Sequence, residues 1–351
     1  MSEAPPTGHV GAVRPGLVDL QVNGYAGVDV NADDVDADVV TALTHALWAE
    51  GVTTYLPTLV SAPEEKLVAA LRAIAAARKR DPLVAHSIAG VHVEGPALSA
   101  QDGARGAHDA TALRDPSLAE LERWQAASGN LVRIVTLAPE RTGALAYIAG
   151  AVRGGVRVSL GHCAATPEQI RAAAAAGASL STHLGNGAVP VLPRHPNHIW
   201  AQLAEDRLTA MFIADGHHLP ADTLTAMIRA KSLQRCVLTS DSAALAGKPP
   251  GEYRTPVGGD VTVEADGRLT LTGTGLLAGS GRSLRACLAW ATAHLPFPAE
   301  TLEAMATAHP ARLLGLEHRV HSGADVVVLE RDGDVTRVTS TTVAGTEVFR
   351  G

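Results

Sequence analysis

Eight short apolar runs recur along the chain: Gly16 to Val22, Val52 to Val60, Ile88 to Val93, Val132 to Leu137, Val156 to Leu160, Ser179 to His183, Leu208 to Ala214 and Cys236 to Thr239. They are nearly continuous in hydrophobicity and lack clean alternation, which predicts strands covered on both faces, as in a parallel sheet. Between them lie Ala- and Leu-rich stretches of helical length: Val39 to Glu50, Glu64 to Arg80, Ser117 to Ala127, Gly143 to Arg153, Thr166 to Ala176 and Ala221 to Lys231. Pro63, Pro116, Pro167 and Pro220 stand near the starts of several of these, where a missing N–H costs nothing. Strand and helix alternating over about 250 residues favour a (β/α)8 barrel, although an open doubly wound sheet gives similar local signals. The placement of polar residues decides between them. Functional-looking groups follow the first, third, fifth, sixth, seventh and eighth runs, and only a closed ring brings those ends to one mouth. No GxGxxG follows a strand to mark a dinucleotide site.

Past the eighth run, VTVEADGRLTLTG carries an Asp266-Gly267 turn between alternating segments and predicts a hairpin. Two helical stretches follow, Arg282 to His294 and Ala299 to Leu314. The tail returns to strand patterning at Ala324 to Leu329, Thr336 to Thr342 and Glu347 to Arg350, split by Asp332-Gly333 and Ala344-Gly345.

Composition narrows the class of protein. At 46% hydrophobic and 19% charged, the 351 residues belong to a globular chain. A net charge of −7 with scattered basic residues offers no footprint for nucleic acid. Met1 to Val13 has no positive segment followed by an apolar stretch, and no run reaches the roughly 20 residues of a membrane span. No membrane association is expected, and the cytoplasm is the expected compartment. Cys163, Cys236 and Cys287 are widely spaced, outside any CxxC, and read as small buried residues.

Several runs end in a residue that can hold a metal or move a proton. His162 closes the fifth in VRVSLGHCAAT and His183 the sixth in LSTHLGN, a spacing too long for one helix face but natural for adjacent barrel strands. With Glu94 in GVHVEGP they form a set of two imidazoles and one carboxylate that leaves coordination open for water, as a hydrolytic zinc site requires. Any one of them alone is weak evidence, since the chain has 15 histidines; their placement at strand ends is what favours a metal centre. Asp241, in CVLTSDSAALAG, is placed to take a proton from an attacking water and return it to a leaving amine. Capping of the next turn is the plainer reading of an isolated Asp, and the other strand ends tip the balance toward catalysis. His217 and His218 in FIADGHHLP offer an imidazole to a developing oxyanion, and His108 lies in a Gly-rich loop that can fold over the same mouth. Both also fit ordinary loop histidines. Asn186 and Gly187 offer a side-chain amide and an unobstructed N–H. Arg194 presents a planar fork of donors for phosphate, although an isolated loop Arg is usually just solvated.

The segments PGLVDLQVNG, GVTTYLPTLVSA, HVEGP, GHCAAT, STHLGN, IADGHH, TSDSAALAG, LLAGS and HPARLLGL follow one another in an order that resembles the N-acetylglucosamine-6-phosphate deacetylases of the amidohydrolase superfamily. The resemblance covers Arg14 to Leu316 and continues weakly into the tail. It implies a (β/α)8 barrel over residues 14–316 and a small β appendage from 1–13 and 317–351. The implied reaction is hydrolysis of N-acetylglucosamine 6-phosphate to glucosamine 6-phosphate and acetate. The implied cofactor is one divalent ion on Glu94, His162 and His183, zinc first and iron, cobalt or manganese as alternatives, with Asp241 as proton acceptor and donor. Substrate contacts are implied at Ala107, His108, Asn186, Gly187, Arg194, Asp215, His217, His218, Leu277, Ala278 and Gly279, and a homodimer is implied as the assembly. Many amidohydrolases bind a second metal through His-x-His at the first strand, where this chain has Gln21-Val22-Asn23; an amide pair is a poor metal site, so one ion is expected.

Three departures from the family pattern carry their own expectations. Few residues precede PGLVD, so half of the usual β-sandwich is absent and the tail strands need another cover, or a partner chain. Gly185 and Gly187-Ala188 replace an aromatic and an Ala-Met pair, which predicts an enlarged or altered pocket floor and leaves open a different N-acyl amino sugar as substrate. The loop from Glu94 to His108 is slightly longer. A catalytically silent sugar-phosphate binding barrel is the alternative of a different class, and the intact Glu94, His162, His183 and Asp241 argue against it.

Overall fold

The apolar runs become the staves of a barrel. The computed structural model describes residues 11–255, 259–332 and 335–351. Its chain begins with β1 (Ala12–Pro15), β2 (Leu17–Val22) and a small ladder of β3 (Gly24–Tyr25) and β4 (Val28–Asp29). Next come α1 (Ala37–Ala49), β5 (Val52–Val60), α2 (Glu64–Arg80), α3 (Pro82–Ser87), β6 (Val91–Glu94), α4 (Leu118–Ser128), β7 (Val132–Leu137), α5 (Ala144–Arg153) and β8 (Arg157–Leu160). The alternation continues through α6 (Pro167–Ala175), β9 (Leu180–Ser181), α7 (His198–Ala204), β10 (Thr209–Ile213), α8 (Ala221–Lys231) and β11 (Cys236–Thr239). The strands β2, β5, β6, β7, β8, β9, β10 and β11 pair side by side in parallel. A parallel bridge between Val22 and Ser242 closes the ring, with the Asp241 N–H on the Gln21 carbonyl at 3.0 Å and the Asn23 N–H on the Ser242 carbonyl at 2.9 Å. The (β/α)8 barrel expected from the sequence is the fold observed.

Local chemistry explains the helix starts. The Asp36 side chain accepts from the N–H groups of Asp38 and Val39 to begin α1, and Thr166 and Gln169 form a reciprocal capping box around Pro167 at α6. Inside the ring, Val18, Leu20, Leu56, Ile134, Leu180, Met211 and Val237 pack with Ala311 into an apolar plug drawn from six strands. Because side chains repeat every second residue along a strand, the next interior layer is Thr58, Thr136, Thr182 and Thr239, all buried. The layer beyond is the mouth.

After β11 the chain forms an antiparallel sheet of β12 (Gly251–Thr255), β13 (Gly259–Val263) and β14 (Leu269–Leu271), then α9 (Leu284–His294), α10 (Ala299–Ala306), α11 (Ala308–Leu314) and α12 (Glu317–His321). The expected single helix over Ala299 to Leu314 is broken at Thr307, whose φ of −134° and ψ of −80° are not helical. Pro310 lacks the N–H that would bond the Ala306 carbonyl, and its ring would clash there in a continuous helix. The sixth run, expected over Ser179 to His183, keeps only two residues as strand because the chain turns at His183.

The last three strands, β15 (Val326–Asp332), β16 (Val335–Val343) and β17 (Thr346–Arg350), join β1 in the order β1-β15-β16-β17. The question of their cover is resolved within the chain. Helices α1 and α3 lie against β16, with α1 also on β17, the Thr341 hydroxyl donates to the Trp48 carbonyl at 2.6 Å, and Val343 is fully buried in the main core. Residues 1–10 of the expected appendage, and Gly333 of the expected Asp332-Gly333 turn, lie outside the described residues.

Candidate metal centre and active site

At the carboxyl ends of the strands lies a cavity of about 290 Å³. Three residues at its base, His162 (φ 48°), His183 (φ 30°) and Asp241 (φ 49°), adopt left-handed backbone conformations without being glycine. Such a conformation costs a non-glycine residue about 1–3 kcal/mol, and residues held this way cluster at functional sites. Each lies just past the end of a barrel strand, where the turn swings its side chain over the mouth.

Glu94, His162 and His183 bring one ligand atom each within 4.8 Å of one another, and all three are buried. His183 Nε2 lies 3.1 Å from Glu94 Oε1 and 3.0 Å from His162 Nε2, and His162 Nε2 lies 3.4 Å from Glu94 Oε1. Tetrahedral bonds of about 2.0–2.1 Å set neighbouring ligand atoms about 3.3 Å apart, so this triangle has the size of one face of a zinc-type site. His162 Nδ1 donates to the Ala104 carbonyl at 2.8 Å, which leaves the Nε2 lone pair for the triangle. Two imidazole nitrogens and a carboxylate oxygen turned toward one point repel unless a cation or proton lies among them, and the set fits a divalent ion. Burial pushes the Glu94 carboxyl up, but the His162 and His183 imidazoles outweigh it and hold the group well below the ordinary range.

Asp241 stands across the mouth. Burial, and after it the negative charge of Glu94, push its carboxyl up to about 6, poised for proton exchange near neutrality. The two flanking imidazoles differ in tautomer. His108 Nδ1 accepts from the Ser61 N–H at 3.3 Å and lies 3.0 Å from the Ser61 hydroxyl, so its proton is on Nε2. Burial, then repulsion by His162, push this imidazole down to about 3, which keeps it a neutral donor. His218 Nδ1 instead donates to Asp215 Oδ2 at 2.7 Å, leaving Nε2 as an acceptor when the ring is neutral. Burial pushes the Asp215 carboxyl up, but the His218 imidazole and two backbone N–H groups outweigh it and hold it at about 2.

The cavity wall brings together Glu94, His162, His183, Asp241, Ala107, His108, Asn186, Gly187, His218, Leu277, Ala278 and Gly279. Three expected contacts are placed elsewhere. Arg194 is exposed on the loop before α7 and does not line the cavity, where no Lys or Arg occurs among the described residues. Asp215 is buried with both oxygens engaged by His217 and His218, so it supports the wall instead of forming it. His217 is likewise absent from the wall. Of the two glycines expected to enlarge the pocket or alter its floor, Gly187 lines the cavity and Gly185 does not. A Cβ on Gly185 would meet Leu219 and Met227 in the core, and one on Gly187 would lie 2.8 Å from His162 Nδ1. At Gly187 the chain passes so close to the His162 imidazole that an added Cβ would require the ring to shift.

Sequence reasoning missed Asp29 and Asn31 beside the β3–β4 ladder and the apolar roof of Val261, Leu269 and Leu271 from β13 and β14. No spacing signal marks these, since they come from an excursion and a small sheet outside the barrel repeat.

Comparison with known proteins agrees with this architecture. The model of the amidohydrolase family matches residues 12–346. The chain belongs to the amidohydrolase family. An N-acetylgalactosamine-6-phosphate deacetylase of Escherichia coli O157:H7 is 39% identical over 310 residues, covering 86% of this chain and 78% of that protein. An N-acetylglucosamine-6-phosphate deacetylase of Vibrio furnissii is 34% identical over 321 residues, covering 92% and 78%. The structure of a mutant N-acetyl-D-glucosamine-6-phosphate deacetylase from Mycobacterium smegmatis, in complex with N-acetyl-D-glucosamine 6-phosphate, superposes with a TM-score of 0.86 at 34% identity, covering 99% of this chain and 91% of that one. Amidohydrolases of this kind are metal-dependent, and Glu94, His162 and His183 are the set here that fits an ion. No helix among the described residues is long and apolar enough to cross a membrane.

Proposed function

We propose that the chain hydrolyses the acetamide of N-acetylglucosamine 6-phosphate, giving glucosamine 6-phosphate and acetate. The observation that carries this reading is the Glu94, His162 and His183 triangle facing Asp241 across one cavity, in a chain whose relatives are named as deacetylases of such sugars. A divalent ion held there, zinc before iron, cobalt or manganese, supplies Lewis-acid polarisation of the acetyl carbonyl and eases deprotonation of water.

The protein's own groups do the rest. Asp241 takes a proton from the attacking water, whose oxygen joins the acyl carbon; the carbon–nitrogen bond then breaks as Asp241 returns the proton to the amine. His108, the neutral Nε2–H donor, stabilises the carbonyl oxygen as charge develops on it. His218, held by Asp215, accepts a sugar hydroxyl. Ala107, the Asn186 amide, the Gly187 N–H and the segment Leu277, Ala278, Gly279 contact the sugar. Because no Lys or Arg among the described residues lines the cavity, the phosphate dianion is met by Arg194 of a second copy, in a cytoplasmic homodimer.

A second reading, the galactosamine epimer, is favoured by the 39% identical relative. Turnover of both epimers, each with and without the 6-phosphate, tests both readings: phosphate-dependent release of acetate is expected, and equal turnover of unphosphorylated sugars removes Arg194 from its role. Unchanged hydrolysis in Asp241→Asn would exclude the proposed proton path.

A further inference from the structure

The end of β2 carries two amides that the reaction as described does not use. Val18 and Leu20 face the barrel interior, but the register of β2 against β5 shifts between Asp19 and Val22, so the alternation changes there: Val22 packs in the outer core while Gln21 and Asn23 reach the residues of the mouth. Gln21 is fully buried, and its Nε2 donates to Glu94 Oε2 at 3.0 Å. That is the carboxylate oxygen turned away from His162 and His183, with His108 Nε2 3.9 Å from it; Oε1 is the one 3.1 Å from His183 Nε2. Asn23 Nδ2 donates to Asp241 Oδ1 at 2.8 Å, and no described residue donates to Oδ2. Both amide orientations follow from these partners, because turning either over would set a carbonyl oxygen against a carboxylate oxygen. Ring closure does not need the two side chains. The strand ends are tied by backbone bonds, from the Asp241 N–H to the Gln21 carbonyl and from the Asn23 N–H to the Ser242 carbonyl.

We propose that Gln21 and Asn23 are positioning residues with separate duties: Gln21 holds Glu94 so that it presents Oε1 alone to the metal position, and Asn23 aims Asp241 with Oδ2 free for the proton. The proposal rests on the reading of the site given above. A carboxylate with both oxygens free can swing between one-oxygen and two-oxygen binding, and a neutral N–H donor on Oε2 removes that freedom without adding charge. On the other side of the mouth, a base held through one oxygen keeps its second oxygen in a fixed direction, which matters because a misplacement of about 1 Å costs on the order of a hundredfold in rate.

The two duties separate experimentally. In Gln21→Leu, the zinc dissociation constant, read by chelator competition without substrate, is expected to rise about ten- to a hundredfold, with kcat recovering at saturating zinc. In Asn23→Leu, the zinc constant is expected to stay within about twofold of wild type, while kcat falls about ten- to a hundredfold with KM unchanged. Gln21→Met and Asn23→Ala provide the same readings where a leucine variant fails to fold by circular dichroism. The proposal is overturned if both variants move the same quantity by the same factor, as a merely structural role would, or if neither quantity moves. Wild-type turnover tests the reading of the reaction; the contrast between variants tests the positioning, and the zinc measurement needs no substrate.

Discussion

Replacing Gly187 with alanine tests whether the sixth-strand loop is built around the His162 imidazole. Gly187 has φ +57°, and an added Cβ would lie 2.8 Å from His162 Nδ1 and 3.1 Å from both Cε1 and Cγ. An ordinary contact is about 3.5 Å, so the ring must retreat by about 0.7 Å. That displacement would stretch the 2.8 Å bond from His162 Nδ1 to the Ala104 carbonyl and carry Nε2 out of the ligand triangle, where distances tolerate only about 0.2 Å. The left-handed backbone adds about 1–2 kcal/mol for a residue with a Cβ, and overpacking about 1–3 kcal/mol, so a stability loss of about 2–5 kcal/mol is expected. Zinc affinity should fall about ten- to a hundredfold. Gly185→Ala is the control: its Cβ would meet the ends of Leu219 and Met227, so it should lower the melting temperature without moving zinc affinity. Chelator competition and thermal melting of both variants provide the assay. A Gly187→Ala protein that binds zinc within twofold of wild type would refute the reasoning.

Asp241→Asn preserves the acceptor for Asn23 but cannot carry a proton, so kcat should fall about 10²–10⁴-fold with zinc content unchanged; a kcat within tenfold of wild type in steady-state assays contradicts it. Asp215→Asn turns an amide N–H toward His218 Nδ1 and forces the other tautomer; with Nε2 then a donor facing the sugar hydroxyl, KM should rise, and an unchanged KM would show that the tautomer is immaterial. The Asp241 carboxyl lies at about 6 and a nearby cation can only lower it, so kcat/KM should fall on the acid side, as the base becomes protonated, with a midpoint no higher than about 6. A midpoint near 8 in the pH profile would point to another group.

The barrel was legible because its strands are buried on both faces and its helices are long, so the hydrophobic pattern states their positions directly. Short elements escaped for the converse reason. Helix α7 spans only His198–Ala204 and follows a Pro- and His-rich stretch, its start visible only through the Asn197 side chain that accepts from the N–H groups of Ile199 and Trp200. The ligand set was legible as residue types at strand ends. Which way the supporting side chains turn was not: Asp215 faces His218 instead of the cavity, and Arg194 faces outward, because loop geometry decides both and no periodicity constrains it. The glycines at 185 and 187 were read as missing bulk, whereas only coordinates reveal that one packs on the core and the other on an imidazole. The cover over the tail strands was hidden for a similar reason, since it depends on where α1 and α3 sit in the closed ring.

The central claim is that Glu94, His162 and His183 together hold a single divalent ion on which hydrolysis depends. Metal analysis of the purified protein, in parallel with His183→Ala, tests it most directly. The account predicts one equivalent of metal per chain in the wild type, lost together with acetate release in the variant. Two equivalents in the wild type, or a variant that keeps both its ion and its activity, would contradict it.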